Sequence, residues 1–469
     1  MISKSLALEV LNAALATGGD YAEIYLEQTD AENVALENGK VESCGTSELY
    51  GCGIRILQKT RQVYGYTSDL SKNSLIKLAS SLASSLDGER AITVKKIAKQ
   101  RVKNINPVKV HALDVPLEEK IALLKECYEI TSKVDKRIVR VRDILGSSSK
   151  QIQIFTAEDE VGKEFNNTEE RVRLMMMPVA AGGEGQIEST FTGPGRYDGW
   201  DWVKNTLDYK KEAKTVGEKA IMMLSAKECP SGRYTVVIAN GWGGVVFHEA
   251  CGHSLEASAT SKKLSVFSDS IGKQIASPLV SAYDDGTMPN EWGSNNIDSE
   301  GIKTHKNQLI KNGICTGFLV DKLSGRRLNM EPNGCSRRQN YHFAPTSRMS
   351  NTYIAPGKDN PEDIIKDTKL GIYVVNFGGG SVEPTTGEFN FSASEAYIIR
   401  DGKVCEPVKG CTLIGSGKEV LENIDRVGND LALGQGNCGA SSGSIPVNVG
   451  QPTIRIKEIT VGGRGGKLE

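Results

Sequence analysis

Long apolar runs are missing from this 469-residue chain. None approaches the roughly 18 consecutive apolar residues that a membrane-spanning helix needs, so a protein of that kind is excluded and no membrane partner is expected. Paired cysteines are missing as well. The ten cysteines are scattered singly with no Cys-x-x-Cys, and in a chain this long without a secretion signal they are expected to be reduced and mostly buried. Neither sign of charge is in excess, with 57 lysines and arginines against 58 aspartates and glutamates. No overall field exists to draw in nucleic acid or an anionic membrane surface. The first nineteen residues alternate apolar and polar positions at helical spacing and carry Glu9 in their middle, which a signal-peptide core would exclude. A cytoplasmic location is the expectation.

Histidine is scarce, at five residues, yet two of the five fall within one short stretch. His248-Glu249-Ala250-Cys251-Gly252-His253-Ser254-Leu255-Glu256 offers two imidazoles, two carboxylates and a thiol. On composition alone a second histidine at a chosen offset arises roughly 1% of the time. Neutral imidazole is the commonest protein ligand for zinc, and a catalytic zinc takes three side chains and one water. Glu249, adjoining the first imidazole, is placed to take a proton from that water. The spacing is unusual. Histidines four apart stack on one helix face, whereas five residues at about 100° each leave the rings roughly 140° apart. A regular helix would fail to chelate, so a distorted or terminating helix is expected at Ala250–His253, with Gly252 supplying the backbone freedom for one wide turn.

The length suggests about three domains. Residues 1–90 read as a small α+β domain: a helix over 5–17 closed by Gly18-Gly19, short strands at 21–27, 33–44, 50–57 and 62–67, and a helix over 72–86. Asn38-Gly39 is a hairpin signal. Residues 91–228 read as a central α+β domain, with a helix over 117–134, strands at 137–145, 151–156 and 172–181, and a helix over 207–225. Met175-Met176-Met177 in the last strand is read as core filling. Residues 229–469 form a β-rich domain in which the strand Tyr234–Ala239 and the turn Asn240–Gly244 lead into the metal motif. The fold class is therefore α+β, with small N-terminal α/β domains followed by a large β-rich C-terminal domain carrying the metal-binding helix.

Residue spacing leaves the third metal ligand open among Cys251, Glu256, Cys438, His305 and His342. Cys251 is the local competitor, three residues after His248. Cys438 lies in the glycine-rich stretch Gly434-Gln435-Gly436-Asn437-Cys438-Gly439, from which a thiolate could approach a distant site.

From His248 to its end the chain resembles the TldD branch of the TldD/PmbA (TldD/TldE) metalloprotease family. The segments that carry the likeness are HEACGHSLE (248–256), YDDGTMPNEWG (283–293), RRQNYHFAPTSRMSNTYIAPG (337–357), GIYVVNFGGGSVEPTTGEFNFSASEAYII (371–399), PVKGCTLIGSG (407–417) and VGNDLALGQGNCGASSGSIPVNVGQPTIRIKEITVGG (427–463). Over residues 1–230 the likeness is mainly one of layout. The resemblance implies a zinc-dependent peptidase with His248, His253 and Cys438 as ligands and Glu249 as general base. The PmbA (TldE) branch lacks the metal motif, so its presence here points to TldD. Cys251 is a departure, since the family tends to have an apolar residue there. The resemblance also implies cleavage of small or unfolded polypeptides inside a chamber formed with a TldE/PmbA-like paralogue, with self-association as the alternative.

The chemistry expected of such a site is attack of a metal-activated water on a peptide carbonyl, with Glu249 moving the proton to the leaving amine. Tyr341, His342, Arg348 and Tyr353 are the candidates for a second donor to the oxyanion. A β-rich site suits an extended substrate that adds as a strand. Two rival readings exist: a non-catalytic assembly subunit whose zinc is structural and fully ligated by protein, and a metal hydrolase acting on a non-peptide amide.

Overall fold

The computed structural model describes residues 1–383 and 385–468, with the side chain of Glu184 set aside. The fold is α+β. Four long strands form the N-terminal half: Tyr21–Glu37, Lys40–Gln58, Ile138–Ala157 and Val161–Ala181. Each joins what the sequence shows as two short apolar runs or extends one of them. The polar interval Gln28–Glu32 does not break its strand because it is paired on both sides, with Glu48–Thr46 and Tyr50–Leu49 on one edge and with Gln151–Ser147 on the other. Backbone hydrogen bonding to two neighbours carries the strand through a stretch with no apolar pattern. The hairpin turn falls on Asn38-Gly39, where φ is +49° and +72°, the left-handed pair that a two-residue turn requires.

Alternation along Tyr21–Glu37 places the molecule's layers. Ala22, Ile24 and Leu26 bury under the helices Lys4–Ala14 and Lys72–Ala83, while Val34 and Leu36, on the same face, bury under Leu117–Ser132 and Tyr209–Met223. Met176 lies in this second core, the filling role expected, whereas its neighbours Met175 and Met177 point to the other face and are only half-buried. The opposite face carries Glu23, Tyr25 and Glu27, and it meets the C-terminal half through a small apolar cluster of Tyr25, Ile297 and Tyr341 and through buried ion pairs. Glu23 pairs with Arg338, and Arg55, opposite Glu23 on the next strand, pairs with Glu300 at 2.5 Å. All four of these side chains are fully buried, so the two halves are joined by desolvated charges whose removal one at a time is costly.

In the C-terminal half the strands Leu370–Val382, Gly232–Ile238, Ile454–Gly462, Thr412–Ser416 and Glu388–Arg400 pair in that order, and the last pairs back with the first to close a ring. A second sheet runs Ile314–Cys315, Lys306–Lys311, Ala282–Asp285, Asn351–Ile354, Gly443–Gln451 and Ala432–Ala440. The helical segment from Trp242 to Leu255 lies between the two sheets and touches both. Its entry is tight. A Cβ on Gly244 would sit 2.4 Å from the backbone nitrogen of Gly450, so glycine is required there for the helix to meet the sheet. All ten cysteines are free thiols, with only Cys44 and Cys405 exposed. Among the described residues no helix is long and apolar enough to cross a membrane.

Candidate metal centre

The helical segment changes pitch where the two histidines lie. Val245–Phe247 is α-helical, His248–Gly252 winds as a π-turn, and His253–Leu255 tightens before Glu256 leaves in extended conformation. The backbone N–H of His253 donates to the carbonyl of His248. This i→i+5 bond is the wide turn that stacks residues five apart. The ring centroids end 5.0 Å apart with planes at 86°. Gly252 contributes differently from the expectation. Its φ of −55° and ψ of −52° are ordinary helical values, so no special backbone freedom is used. A Cβ at this position would instead fall 2.3 Å from Met349 Sδ, and the glycine provides room for the buried Met349.

The faces of the turn sort the motif's side chains. Val246, Phe247, Ala250 and Cys251 are buried in the large apolar core, at the spacing of one helix stripe. Burial of Phe247 alone contributes about 1.5–3 kcal/mol to holding that stripe inward. Cys251 is thereby turned into the core, where burial and then the nearby Cys315 thiol push its pKa well above the ordinary value. His248, Glu249 and His253 lie on the other side.

There the second sheet delivers Cys438 from the hairpin of Ala432–Ala440 and Gly443–Gln451. Its Sγ is 3.3 Å from His248 Nε2 and 3.1 Å from His253 Nε2. One donor atom from each of His248, His253 and Cys438 lies within 4.8 Å of the others. Donors bonded at about 2.0–2.1 Å (N) and about 2.3 Å (S) to one tetrahedral ion would themselves be roughly 3.5 Å apart, so this N,N,S set fits a zinc-sized cation. The electrostatics fit as well. Burial opposes ionisation of Cys438, but His248 and His253 outweigh it and bring the thiol down to about 4. Burial likewise opposes a charged His253, and Glu256 with Cys438 outweighs it, raising that imidazole well above its ordinary value. The cluster thus draws in positive charge, and a metal ion would displace the protons. His253 Nδ1 faces Glu256 Oε1 at 3.2 Å, which fixes its ring, and Glu249 Oε2 stands 3.6 Å from His253 Nε2.

Several side chains hold the thiol strand in place. Buried Arg348 donates to the carbonyl of Cys438 at 2.5 Å, to that of Gly443 at 2.8 Å and to Ser442 Oγ at 2.9 Å. Trp242 packs flat on the strand where Gly434 and Gly436 offer no side chain. The glycines two apart, the period of one strand face, are the sequence signal for this contact. Tyr341 and His342 pack against Tyr66 near the junction with the N-terminal sheet, with ring centroids at 6.1 and 4.7 Å. Tyr353 stacks near Tyr283 at 5.9 Å, with Lys306 over its ring. Among the described residues none of Tyr341, His342, Arg348 and Tyr353 makes a side-chain hydrogen bond or ring contact to the side chains of His248, His253 or Cys438. His305 is exposed and lies outside the cluster.

Family models match this chain in three consecutive parts: a PmbA/TldA metallopeptidase domain 1 over residues 22–86, a central domain over 110–224 and a C-terminal domain over 231–463. The chain is 37% identical over 459 residues to a protein named metalloprotease TldD homolog from Buchnera aphidicola (subspecies Schizaphis graminum), covering 95% of this chain and 93% of the relative. It is 36% identical over 455 residues to the Haemophilus influenzae protein of the same name, with the same coverage. A protein from Saccharolobus solfataricus named zinc metalloprotease TldD homolog is 24% identical over 466 residues, with 95% and 97% covered. Among solved structures, a Thermotoga maritima protein described as a candidate modulator of a DNA gyrase superposes with a TM-score of 0.77 at 19% identity, covering 94% of this chain and 96% of that one. TldE from Thermococcus kodakarensis superposes with a TM-score of 0.73 at 18% identity, covering 98% and 100%.

Proposed function

Because the chain belongs to the TldD branch of the PmbA/TldD metallopeptidase family and is a metalloprotease, we propose that its metal is zinc, held by His248, His253 and Cys438, and that it hydrolyses small or unfolded polypeptides with Glu249 as general base. The observation that carries this reading is the convergence of a thiol from a distant hairpin on two imidazoles stacked by a π-turn, with a carboxylate alongside. The name of the Saccharolobus relative is in keeping with zinc.

When bound, the metal supplies Lewis acidity to the scissile carbonyl and to the attacking water. Glu249 accepts the water's proton and returns it to the leaving amine. Its side chain is 27% exposed, enough to meet substrate, while Glu256 on the buried side keeps the His253 ring oriented. Arg348 is best read as a positioning residue acting through the Cys438 carbonyl. Tyr341, His342 and Tyr353 remain the proposed sources of a second oxyanion donor, to be brought up by substrate. Cys251, buried in the apolar core, supports a three-ligand catalytic site over one in which protein supplies all four. The likeness to TldE in fold supports a TldE/PmbA-like paralogue as partner, with self-association as the alternative.

Glu249→Gln tests the central assignment. Proteolysis of an unfolded substrate such as casein is expected to fall by about 10²–10⁴-fold while the bound zinc, measured by plasma emission, is unchanged. Full activity with zinc in place would remove Glu249 from the mechanism.

A further inference from the structure

A cavity of about 350 Å³ lies between the N-terminal sheet and the C-terminal half. Its wall carries Lys150, Arg171, Arg337 and Arg338 against Glu169 and Asp298. The carboxylates are already engaged. Glu169 pairs with Arg171 at 2.6 Å. Asp298 accepts backbone N–H bonds from Glu300, Ile302 and Ser336, and burial followed by Glu300 pushes its pKa well above the ordinary value. Arg338 is matched by Glu23, and Lys150 stands 3.6 Å from Glu27 and donates to the carbonyl of Gln339 at 2.7 Å.

Arg337 is not matched. It is 5% exposed, its Nη1 donates to the carbonyl of Met349 at 2.6 Å, and among the described residues it forms no ion pair. Glu169 and Asp284 act on it from a distance, but burial and the charges of Arg171 and Arg348 oppose its cation and bring the pKa down to about 10. A buried guanidinium with donors left over beside a cavity favours an anion as their partner. A carboxylate matches the planar fork in shape and charge.

We propose that this cavity binds a small ligand through its carboxylate, received by the free edge of Arg337. The carboxylate is either the C-terminal end of a peptide or that of a free small acid. The cavity is separate from the metal cluster but borders it, since Asn437 in its wall precedes Cys438 and Ile445, also in its wall, is the cross-strand partner of Cys438. The proposal does not rest on the peptidase reading, because it concerns binding and not turnover.

The test is calorimetric titration of the full-length, metal-loaded chain with acetyl-dialanine, with its C-terminal amide, and with succinate. The acid is expected to bind at least about ten-fold more tightly than the amide, and Arg337→Gln is expected to abolish that preference. Arg337→Lys, which keeps the positive charge but not the planar fork, is expected to weaken acid binding by roughly two- to five-fold, and it decides the matter if the glutamine variant fails to fold. Tighter binding of succinate than of acetyl-dialanine assigns the site to free acids, and the reverse order assigns it to peptide ends. Equal binding of acid and amide, no binding of either carboxylate, or a preference that survives both substitutions would overturn the proposal. A chain without proteolytic activity that still shows Arg337-dependent acid binding would count against the proposed function alone.

Discussion

Replacing Gly252 by alanine separates two explanations for a glycine inside the metal turn. If backbone freedom were needed, no change elsewhere could rescue the variant. The helical φ and ψ at Gly252 say otherwise, and the obstacle is Met349, whose Sδ would lie 2.3 Å and Cε 3.1 Å from the new methyl group. Unbonded heavy atoms settle at about 3.5–4.0 Å, so more than about 1 Å must be opened. Met349 is fully buried and its carbonyl is bonded to Arg337, which leaves only side-chain rotation or a shift of the turn. Overpacking of this kind costs about 1–3 kcal/mol, and alanine's better helix propensity returns about 1 kcal/mol. Set against the unfolding entropy of 469 residues, the net loss of about 1 kcal/mol lowers Tm by only about 1 °C. Because the turn carries both imidazoles, zinc affinity measured by competition with a chromogenic chelator is expected to fall about ten-fold, the scale seen when a ligand's supporting contacts are disturbed. Met349→Ala removes the obstacle. The double variant should recover wild-type affinity to within about three-fold, even though losing a buried methionine costs about 2–5 kcal/mol of stability. Undiminished affinity in Gly252→Ala, or a double variant as weak as the single one, would refute the steric account.

Two further outcomes follow from single residues. Asp143 is fully buried with both oxygens unpartnered, and burial pushes its pKa up to about 7. Its folded-state value lies above the unfolded one, so the protonated form favours the fold and stability declines as pH rises from about 4 to about 7, then levels off. The difference is on the order of 4 kcal/mol; Asp143→Asn should flatten that part of the urea-midpoint profile and raise stability at pH 8, and an unchanged profile would show that the carboxyl is solvated. For the thiols, Cys438→Ser should lower bound zinc at least about ten-fold by plasma emission while Cys251→Ser keeps full occupancy; the opposite pattern would exchange their roles.

The metal turn was legible because its chemistry is local. Two imidazoles five apart cannot share an ion on a regular helix, so the distortion followed from the spacing alone. The role of Gly252 was not legible, since Met349 is 97 positions further along the chain. The same limit applied to Cys438. Spacing leaves it one of five candidate ligands, and only resemblance singles it out; proximity arises because its hairpin adds to the strand Asn351–Ile354 beside the helix. Arg348 shows a contact that spacing does not reveal. Read as a donor to substrate, it is turned inward onto three acceptors of the thiol hairpin. Strand lengths are hard to read from sequence for a physical reason too: periodicity reports one buried face, and the polar middle of Tyr21–Glu37 has its partners along its edges.

The thiol strand is also where the two halves of the molecule become mutually dependent. Ala432–Ala440 is the last strand of its sheet, and an uncovered edge of this kind would be free to shift or to pair wrongly. Its carbonyls are instead taken up by side chains from three parts of the chain. Arg173, on the N-terminal sheet, donates to Gln435 O at 3.2 Å, Trp292 Nε1 donates to Gly436 O at 2.8 Å, and Arg348 donates to Cys438 O. Arg173 in turn lies over the Trp292 ring at 5.5 Å. A donor atom must be held to within a few tenths of an ångström for ligation, and a glycine-rich strand has little stiffness of its own. Placement of Cys438 is therefore drawn partly from the N-terminal half, which contributes no side chain to the metal cluster. That half is an integral support of the centre: loosening its sheet would withdraw Arg173 and let the sulfur drift from the imidazoles while the π-turn itself stayed intact.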